Sequence, residues 1–448
     1  MATGKIASSR TLKFPDNFLW GTATAAHQVE GGNANNDWWD WEQIPGKIKN
    51  GDRSSAACDW WRGARYHDDF DSARDLHTRA HRLSIEWSRI EPRENQWSAD
   101  AFAFYRQVLN ALRERGMTPL VTLHHFTNPR WLAQMSGWEN PRVIELFERF
   151  VTEVVKELGD LCDFWVTINE PTVYVFAGYI GGAWPPGKNK FALAMRVGEN
   201  LLRAHIAAYR AIHARQPSAR VGIANSITPL QPANSDSAIN RALAQLQHRI
   251  YNHRLLDALE DGKLRTPFAP TKNIPEAIGA HDFVGVNYYF TRRMAVDWKL
   301  PLQLFGRQLP AREWGVPYDG ELSDWMGKGD INPAGFAETI QACARFGKPI
   351  YITENGICDR DDELRPRYLV QHLVALYRAI QNGADVRGYF YWSLVDNFEW
   401  AEGYGLRFGL IHNDFATQTR TLKPSAHIFA RIAQTNAIDS ELIEKYGT

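Results

Sequence analysis

Eight short runs rich in β-branched and aromatic residues recur along this chain, and longer segments with helical amphipathic spacing separate them. The runs are Phe18 to Ala23, Ala80 to Trp87, Thr118 to His124, Phe164 to Asn169, Arg220 to Asn225, Phe283 to Tyr288, Pro349 to Glu354 and Gly388 to Ser393. The amphipathic stretches include Ala101 to Arg115, Pro141 to Leu158, Leu193 to Gln216, Ser237 to Asp261, Pro333 to Phe346 and Arg365 to Asn382. Strands alternating with helices are the pattern of parallel neighbours joined by helical crossovers. No Pro/Gly/Ser linker, low-complexity tract or short exact repeat divides the chain. Eight such units in one uninterrupted chain predict a single (β/α)8 TIM barrel with extended βα loops over residues 1–448, ahead of a doubly wound open sheet.

In such a barrel, chemistry gathers where strands end and βα loops begin. The strand ends here are polar and aromatic. They read Gln28 just past the first, Arg82 within the second, then His124-His125, Asn169-Glu170-Pro171, Asn225, Asn287-Tyr288-Tyr289, Thr353-Glu354-Asn355-Gly356 and Trp392. Polar groups closing strand after strand are costly unless hydrogen-bonded or wet, so they predict a pocket.

Composition excludes several other roles. Lys+Arg and Asp+Glu both number 51, giving a formal net charge of +0, and no long run of one sign marks a nucleic-acid groove or an anionic membrane surface. Met1 to Leu12 is polar, and no apolar stretch approaches the roughly 18 residues that span a bilayer, so a cytoplasmic protein is expected. Cys58, Cys162, Cys343 and Cys358 share no CxxC spacing and are expected to be reduced, buried thiols. Adjacent His124 and His125 point to opposite faces of a strand, so they predict no metal site. What is in excess is flat aromatic surface: 17 Trp, 16 Tyr and 22 Phe exceed what a core needs, and stacking on flat apolar faces is one use for it.

Two carboxylates end apolar strands, Glu170 in Trp165-Val-Thr-Ile-Asn-Glu-Pro171 and Glu354 in Tyr351-Ile-Thr-Glu-Asn-Gly356. Either alone would serve as a first-turn acid at a helix N-terminus. On strands four and seven of eight they face one another across a barrel mouth, where paired carboxylates divide acid and nucleophile roles by holding different protonation states.

Asn169-Glu170-Pro171 and Thr353-Glu354-Asn355-Gly356 resemble the two signature sites of family 1 glycoside hydrolases, the retaining β-glucosidase family. The resemblance runs from Phe14-Pro-Asp-Asn-Phe-Leu-Trp-Gly-Thr-Ala-Thr-Ala-Ala-His-Gln-Val-Glu30 to Trp392-Ser-Leu-Val-Asp-Asn-Phe-Glu-Trp400. It implies that Glu354 is the nucleophile and Glu170 the general acid/base. It further implies that Arg82 sits beside the nucleophile, Tyr289 hydrogen-bonds it, and Asn169 holds the sugar 2-hydroxyl. Gln28, His125, Asn287, Glu399 and Trp400 match substrate-binding positions, and Trp392 matches the platform under the sugar. No cofactor or metal is implied, and the partners are small β-glucosides and oligosaccharides. Tyr389 and Tyr391 read instead as core.

The chain departs from the family's common His-Trp-Asp-Leu-Pro segment, reading His125-Phe-Thr-Asn-Pro129. Phe126 lacks the indole N–H that reaches a ring hydroxyl, which implies a glycone range extending to β-galactosides and β-fucosides. The stretch Thr291 to Ile331, with Trp298, Trp314 and Trp325, is expected to be an irregular loop and a candidate wall for the leaving group. Competing expectations are a 6-phospho-β-glycosidase, which Glu399 and Glu402 oppose by charge, a thioglucosidase, which Glu170 opposes, and a non-catalytic sugar-binding barrel.

Overall fold

The computed structural model describes residues 11–266, 269–314 and 329–447. Its centre is a closed barrel of eight parallel strands: β1 (Leu19–Ala23), β2 (Ala80–Ser84), β3 (Thr118–His124), β4 (Phe164–Asn169), β5 (Arg220–Ser226), β6 (Phe283–Asn287), β7 (Ile350–Asn355) and β8 (Val386–Trp392). Each strand pairs with its neighbours in sequence, and β8 closes on β1 with Gly388 opposite Leu19 and Trp392 opposite Ala23. The expected barrel is therefore present, and the open sheet is not.

The crossover helices are α1 (Tyr66–Asp75), α2 (Ala99–Glu114), α3 (Val143–Leu158), α4 (Phe191–Arg215), α5 (Ala238–His248), α6 (Arg254–Asp261), α7 (Pro333–Ala344), α8 (Arg365–Gln381) and α9 (Pro424–Thr435). Leu146, Phe147, Phe150, Val151 and Val154 recur at helical spacing on the buried face of α3, which is why that segment forms a helix against the barrel. Among the described residues, no helix is long and apolar enough to cross a membrane.

The barrel interior is packed by aromatic rings below the mouth. Phe164, Phe283 and Tyr351 meet with centroids 4.8 to 5.4 Å apart and with edge-on geometry. Rings this large fit because glycines face them. A Cβ on Gly222 would stand 2.8 Å from the Phe283 ring, and one on Gly21 would stand 2.6 Å from the Phe390 ring. Tyr389 and Tyr391 are buried in the outer core, as expected.

Three expectations are corrected. The run Ala80 to Trp87 ends as a strand at Ser84, because Trp87–Ile90 turns into helix and buries its indole. The segment Ser237 to Asp261 is not one α-helix: Arg249–His253 forms a π-helical turn between α5 and α6. Such turns insert a residue into the helix and often mark functional positions. Within Thr291 to Ile331 two segments are regular, because Arg292–Val296 joins a three-stranded sheet between Leu230–Pro232 and Gly306–Gln308. Its parallel partner lies in the preceding βα loop, a distant pairing that no local pattern displays.

The interior packing makes a testable demand. Gly222→Val forces a side chain into the Phe283 ring and its carbonyl oxygen, both 2.8 Å from the new Cβ. Overpacking of this kind costs about 1–3 kcal/mol. The midpoint of urea unfolding should fall accordingly, and an unchanged midpoint would show that the barrel floor can yield.

Candidate active site

The side chains that the sequence singles out converge because three strands shift register at their C-terminal ends. The β4–β5 pairing slips between Val166 and Asn169, the β6–β7 pairing between Val286 and Asn287, and the β7–β8 pairing between Ile352 and Asn355. A bulge re-aims the residues that follow it. On β7, consecutive Thr353 and Glu354 both reach inward, to Asn287 and Arg82 respectively.

Arg82 lies at the centre of the constellation and is almost wholly buried. Its guanidinium donates to Glu354 Oε1 at 2.5 Å, Asn169 Oδ1 at 2.6 Å, Thr122 Oγ1 at 3.1 Å and the Thr353 carbonyl at 3.2 Å. Tyr289 donates its hydroxyl to the other Glu354 oxygen at 2.6 Å. Asn287 Nδ2 donates to Glu170 Oε1 at 3.0 Å and to Asn169 Oδ1 at 3.1 Å, while its Oδ1 accepts from Thr353 at 2.6 Å. One amide thus ties the two glutamates' surroundings together.

The two carboxyls are treated differently. Burial is the main cause that lifts Glu170 to about 8, and the negative charge of Glu354 adds to it. Burial also raises Glu354 above its ordinary value, but the Arg82 charge and hydrogen bonds from Tyr289, Arg82 and Asn287 all oppose that and favour its ionised form. The proton of the pair therefore resides on Glu170. Burial, followed by the Arg82 charge, holds His125 well below its ordinary value, so its ring is neutral. With Asn169 Nδ2 facing His125 Nε2 at 3.1 Å, the ring proton belongs on Nδ1, which has no partner among the described residues.

These groups open on a cavity of about 430 Å³. His125, Asn169, Glu170, Tyr289, Glu354, Trp392, Glu399 and Trp400 all line it. The rings of His125, Trp392 and Trp400 lie nearly parallel, with interplanar angles of 20° and 13° from the imidazole. Three lining residues hold left-handed backbone: Phe126 at φ 74°, Glu170 at φ 42° and Trp400 at φ 53°. Each such non-glycine conformation costs of order 1–3 kcal/mol, and sites of this kind cluster at ligand clamps.

A profile described as Glycosyl hydrolase family 1 matches residues 10–438. The chain belongs to glycosyl hydrolase family 1. It is 32% identical to Beta-glucosidase A of Thermotoga maritima, over 95% of this chain and 99% of that one. It is 30% identical to a Beta-galactosidase of Pyrococcus woesei, over 96% and 99% of the two chains. The solved beta-glycosidase from Pyrococcus horikoshii superposes with a TM-score of 0.90 at 41% identity, covering 98% of this chain and 99% of its own. A Thermotoga maritima beta-glucosidase solved in complex with glucoimidazole gives 0.87 at 30% identity, over 95% and 100% of the chains. The chain is thus a family 1 β-glycosidase.

Within this family 1 enzyme some expected residues stand behind the cavity wall. Arg82 and Asn287 act through the residues they bond and do not line the cavity. Gln28 also lies behind it, donating to Asn397 Oδ1 at 2.9 Å, with a buried Oε1 that has no partner among the described residues. His124 turns away from His125 towards Asn128 and Trp138, which explains the two histidines without a shared ion. Of the three tryptophans expected on the leaving-group side, Trp298 is 68% exposed, Trp314 packs against a separate cluster, and Trp325 lies outside the described residues. From the stretch Thr291 to Ile331 Arg292 does line the cavity, beside Phe290, Ser226, Thr228 and Tyr251. Sequence reasoning missed Phe290, Ser226, Thr228 and Tyr251, although Ser226 ends β5 and Thr228 follows two residues later. Trp184, which faces Phe126 with centroids 4.9 Å apart, was missed as well.

Removing one carboxylate tests the coupling. In Glu354→Gln the like charge that raises Glu170 is gone, so the Glu170 carboxyl should titrate below about 8. Carbon-13 NMR titration of labelled glutamates reads this directly, and an unchanged or higher value would contradict the arrangement.

Proposed function

We propose that this chain is a retaining, exo-acting β-glycosidase that removes terminal β-D-glucosyl residues and also accepts β-galactosides and β-fucosides, with the whole chain working as one catalytic domain. The observation that supports it best is the unequal state of two glutamates in one cavity: Glu354 is held as an anion by Arg82 and Tyr289, and Glu170 keeps its proton to about 8.

In this reading Glu354 attacks the anomeric carbon while the Glu170 proton passes to the leaving oxygen. Water then enters, Glu170 takes its proton, and the glycosyl-enzyme bond opens. Retention asks for carboxyl groups about 5 Å apart. Asn169 receives the 2-hydroxyl, a charge-backed donor because its Oδ1 accepts from Arg82. His125, Glu399 and Trp400 meet the other ring hydroxyls, with Gln28 acting from behind through Asn397, and the Trp392 indole supports the apolar sugar face.

Relatives named for glucosidase and galactosidase activity stand at similar identity, 32% and 30%, and support a glycone range that includes both sugars. Phe126 lines the cavity and packs against Trp400 at 5.2 Å with no polar hydrogen to offer, which favours the same breadth. Glu399 and Glu402 also line it, and their charge opposes a 6-phosphate. Four buried cysteine thiols fit a reducing, cytoplasmic setting.

Rescue chemistry separates the roles. Glu354→Ala should lose hydrolysis, and added azide should restore turnover with an α-glucosyl azide. Glu170→Ala should lose about 10²- to 10⁴-fold on alkyl glucosides, yet still be glycosylated by substrates with acidic phenol leaving groups, with azide giving the β-product. The opposite product pattern would reverse the two roles.

A further inference from the structure

His125 and Phe126 line the sugar cavity from a segment that lies past the end of β3, where a single bridge, Pro129 to Asn36, continues the pairing. Two carboxylates outside the cavity lining hold this segment. Glu86 accepts from Thr127 Oγ1 at 3.0 Å. Asp37, in the first turn of the short helix Asp37–Glu42, takes Asn128 by three bonds. Its carboxylate accepts from the Asn128 backbone N–H at 2.8 Å and from Asn128 Nδ2 at 2.7 Å, and its own N–H donates to the Asn128 carbonyl at 3.0 Å.

The Asn128 amide is fixed in orientation from its far side. Its Oδ1 accepts from Trp138 Nε1 at 2.7 Å, and an indole N–H can only donate, so Nδ2 must face Asp37. Asn128 stands where the family commonly carries leucine, so the side-chain half of this clasp is a departure of this chain. Trp38, the residue after Asp37, lies with its ring centroid 4.7 Å from that of Trp400 and 5.4 Å from that of Trp184. Both of those rings pack on Phe126. One helical turn therefore grips the Phe126 segment by hydrogen bonds and braces its ring neighbours by packing.

We propose that Asp37 is a positioning residue for the sugar: without touching it, the clasp on Asn128 holds His125 and Phe126 in place and so sets glycone affinity and discrimination. The proposal rests on the reading that a glycosyl ring occupies this cavity against His125 and Trp400. The clasp needs an anion, because both Asp37 oxygens accept and a proton on either would set a hydroxyl against an Asn128 N–H. Burial lifts Asp37 to about 7 in spite of the Asn128 bonds. Glu86 adds to that rise and His27 opposes it, while Tyr174, Tyr179, Glu139 and Lys188 share with Asp37 the lining of a cavity of about 170 Å³. The grip is thus present above about 7 and weakens as pH falls through it.

The experiment measures kcat/KM for an aryl β-glucoside and its 3-, 4- and 6-deoxy analogues at pH values on both sides of about 7. In the ratio of parent to analogue the ionisations of Glu170 and Glu354 cancel, because both substrates meet the same free enzyme. In the wild type at least one ratio should rise about tenfold as Asp37 ionises, the size of one hydrogen bond to a charged group. Asp37→Asn keeps one acceptor and turns a donor on Asn128, so it should hold the low-pH ratio at every pH, with the loss falling on KM more than on kcat. Asn128→Leu should give the same low ratio, and adding Asp37→Asn to it should change nothing further. A wild-type ratio flat with pH, a pH-dependent ratio that survives in Asp37→Asn, or losses that add in the double variant would each overturn the proposal. The wild-type profile needs no variant, so it decides the matter even where a variant fails to fold. Failure to cleave the parent glucoside at any pH would strike the β-glycosidase reading instead.

Discussion

The buried guanidinium of Arg82 is the interaction on which the site depends. A charge in the barrel interior is tolerable only if it is paired and its N–H groups are taken up, and removing one partner of such a pair costs about 3–5 kcal/mol. Here the takers come from three strands: Thr122 on β3, Asn169 on β4, and Thr353 and Glu354 on β7, all reached from β2. The same contacts that make the charge affordable fix the Glu354 carboxylate in place and in its ionised state. Stability and chemistry are therefore bound into one cluster, and any change at Arg82 must disturb both.

Above this cluster the barrel departs from regularity. Register shifts at the ends of β4, β6 and β7 turn Asn169 and Glu354 into the mouth and set Asn287 behind them, and left-handed backbone at Phe126, Glu170 and Trp400 presents their side chains to the cavity. Below it the interior is conventional, with large rings set against Gly21 and Gly222. The division suits the chemistry, since a closely packed floor carries the strain that an aimed set of polar groups imposes.

Much of this was legible in the residues. The alternation of apolar runs and amphipathic stretches declared the eight strands and the barrel, because period is a local property. Glu170, Glu354, Tyr289, His125 and Trp392 were legible because each ends a strand, where a polar or aromatic group has nowhere dry to go. The sheet through Arg292–Val296 was not legible, since its pairing with Leu230–Pro232 joins two separate loops. Nor was the place of Tyr251, which depends on one π-helical turn in a segment whose spacing reads as continuous α-helix. Trp298 misled for a simpler reason: an aromatic in a long loop carries no sign of whether it faces a cavity or water.

The central claim is that Glu354 carries the sugar covalently while Glu170 does not. The direct measurement is to incubate the enzyme with an activated 2-deoxy-2-fluoro-β-glucoside, whose fluorine slows the breakdown of a glycosyl-enzyme, and to map the modified peptide by mass spectrometry. One glucosyl equivalent on Glu354, in the peptide containing Tyr351 to Gly356, is the predicted result. Label on Glu170, or full turnover with no label on either glutamate, would contradict the account.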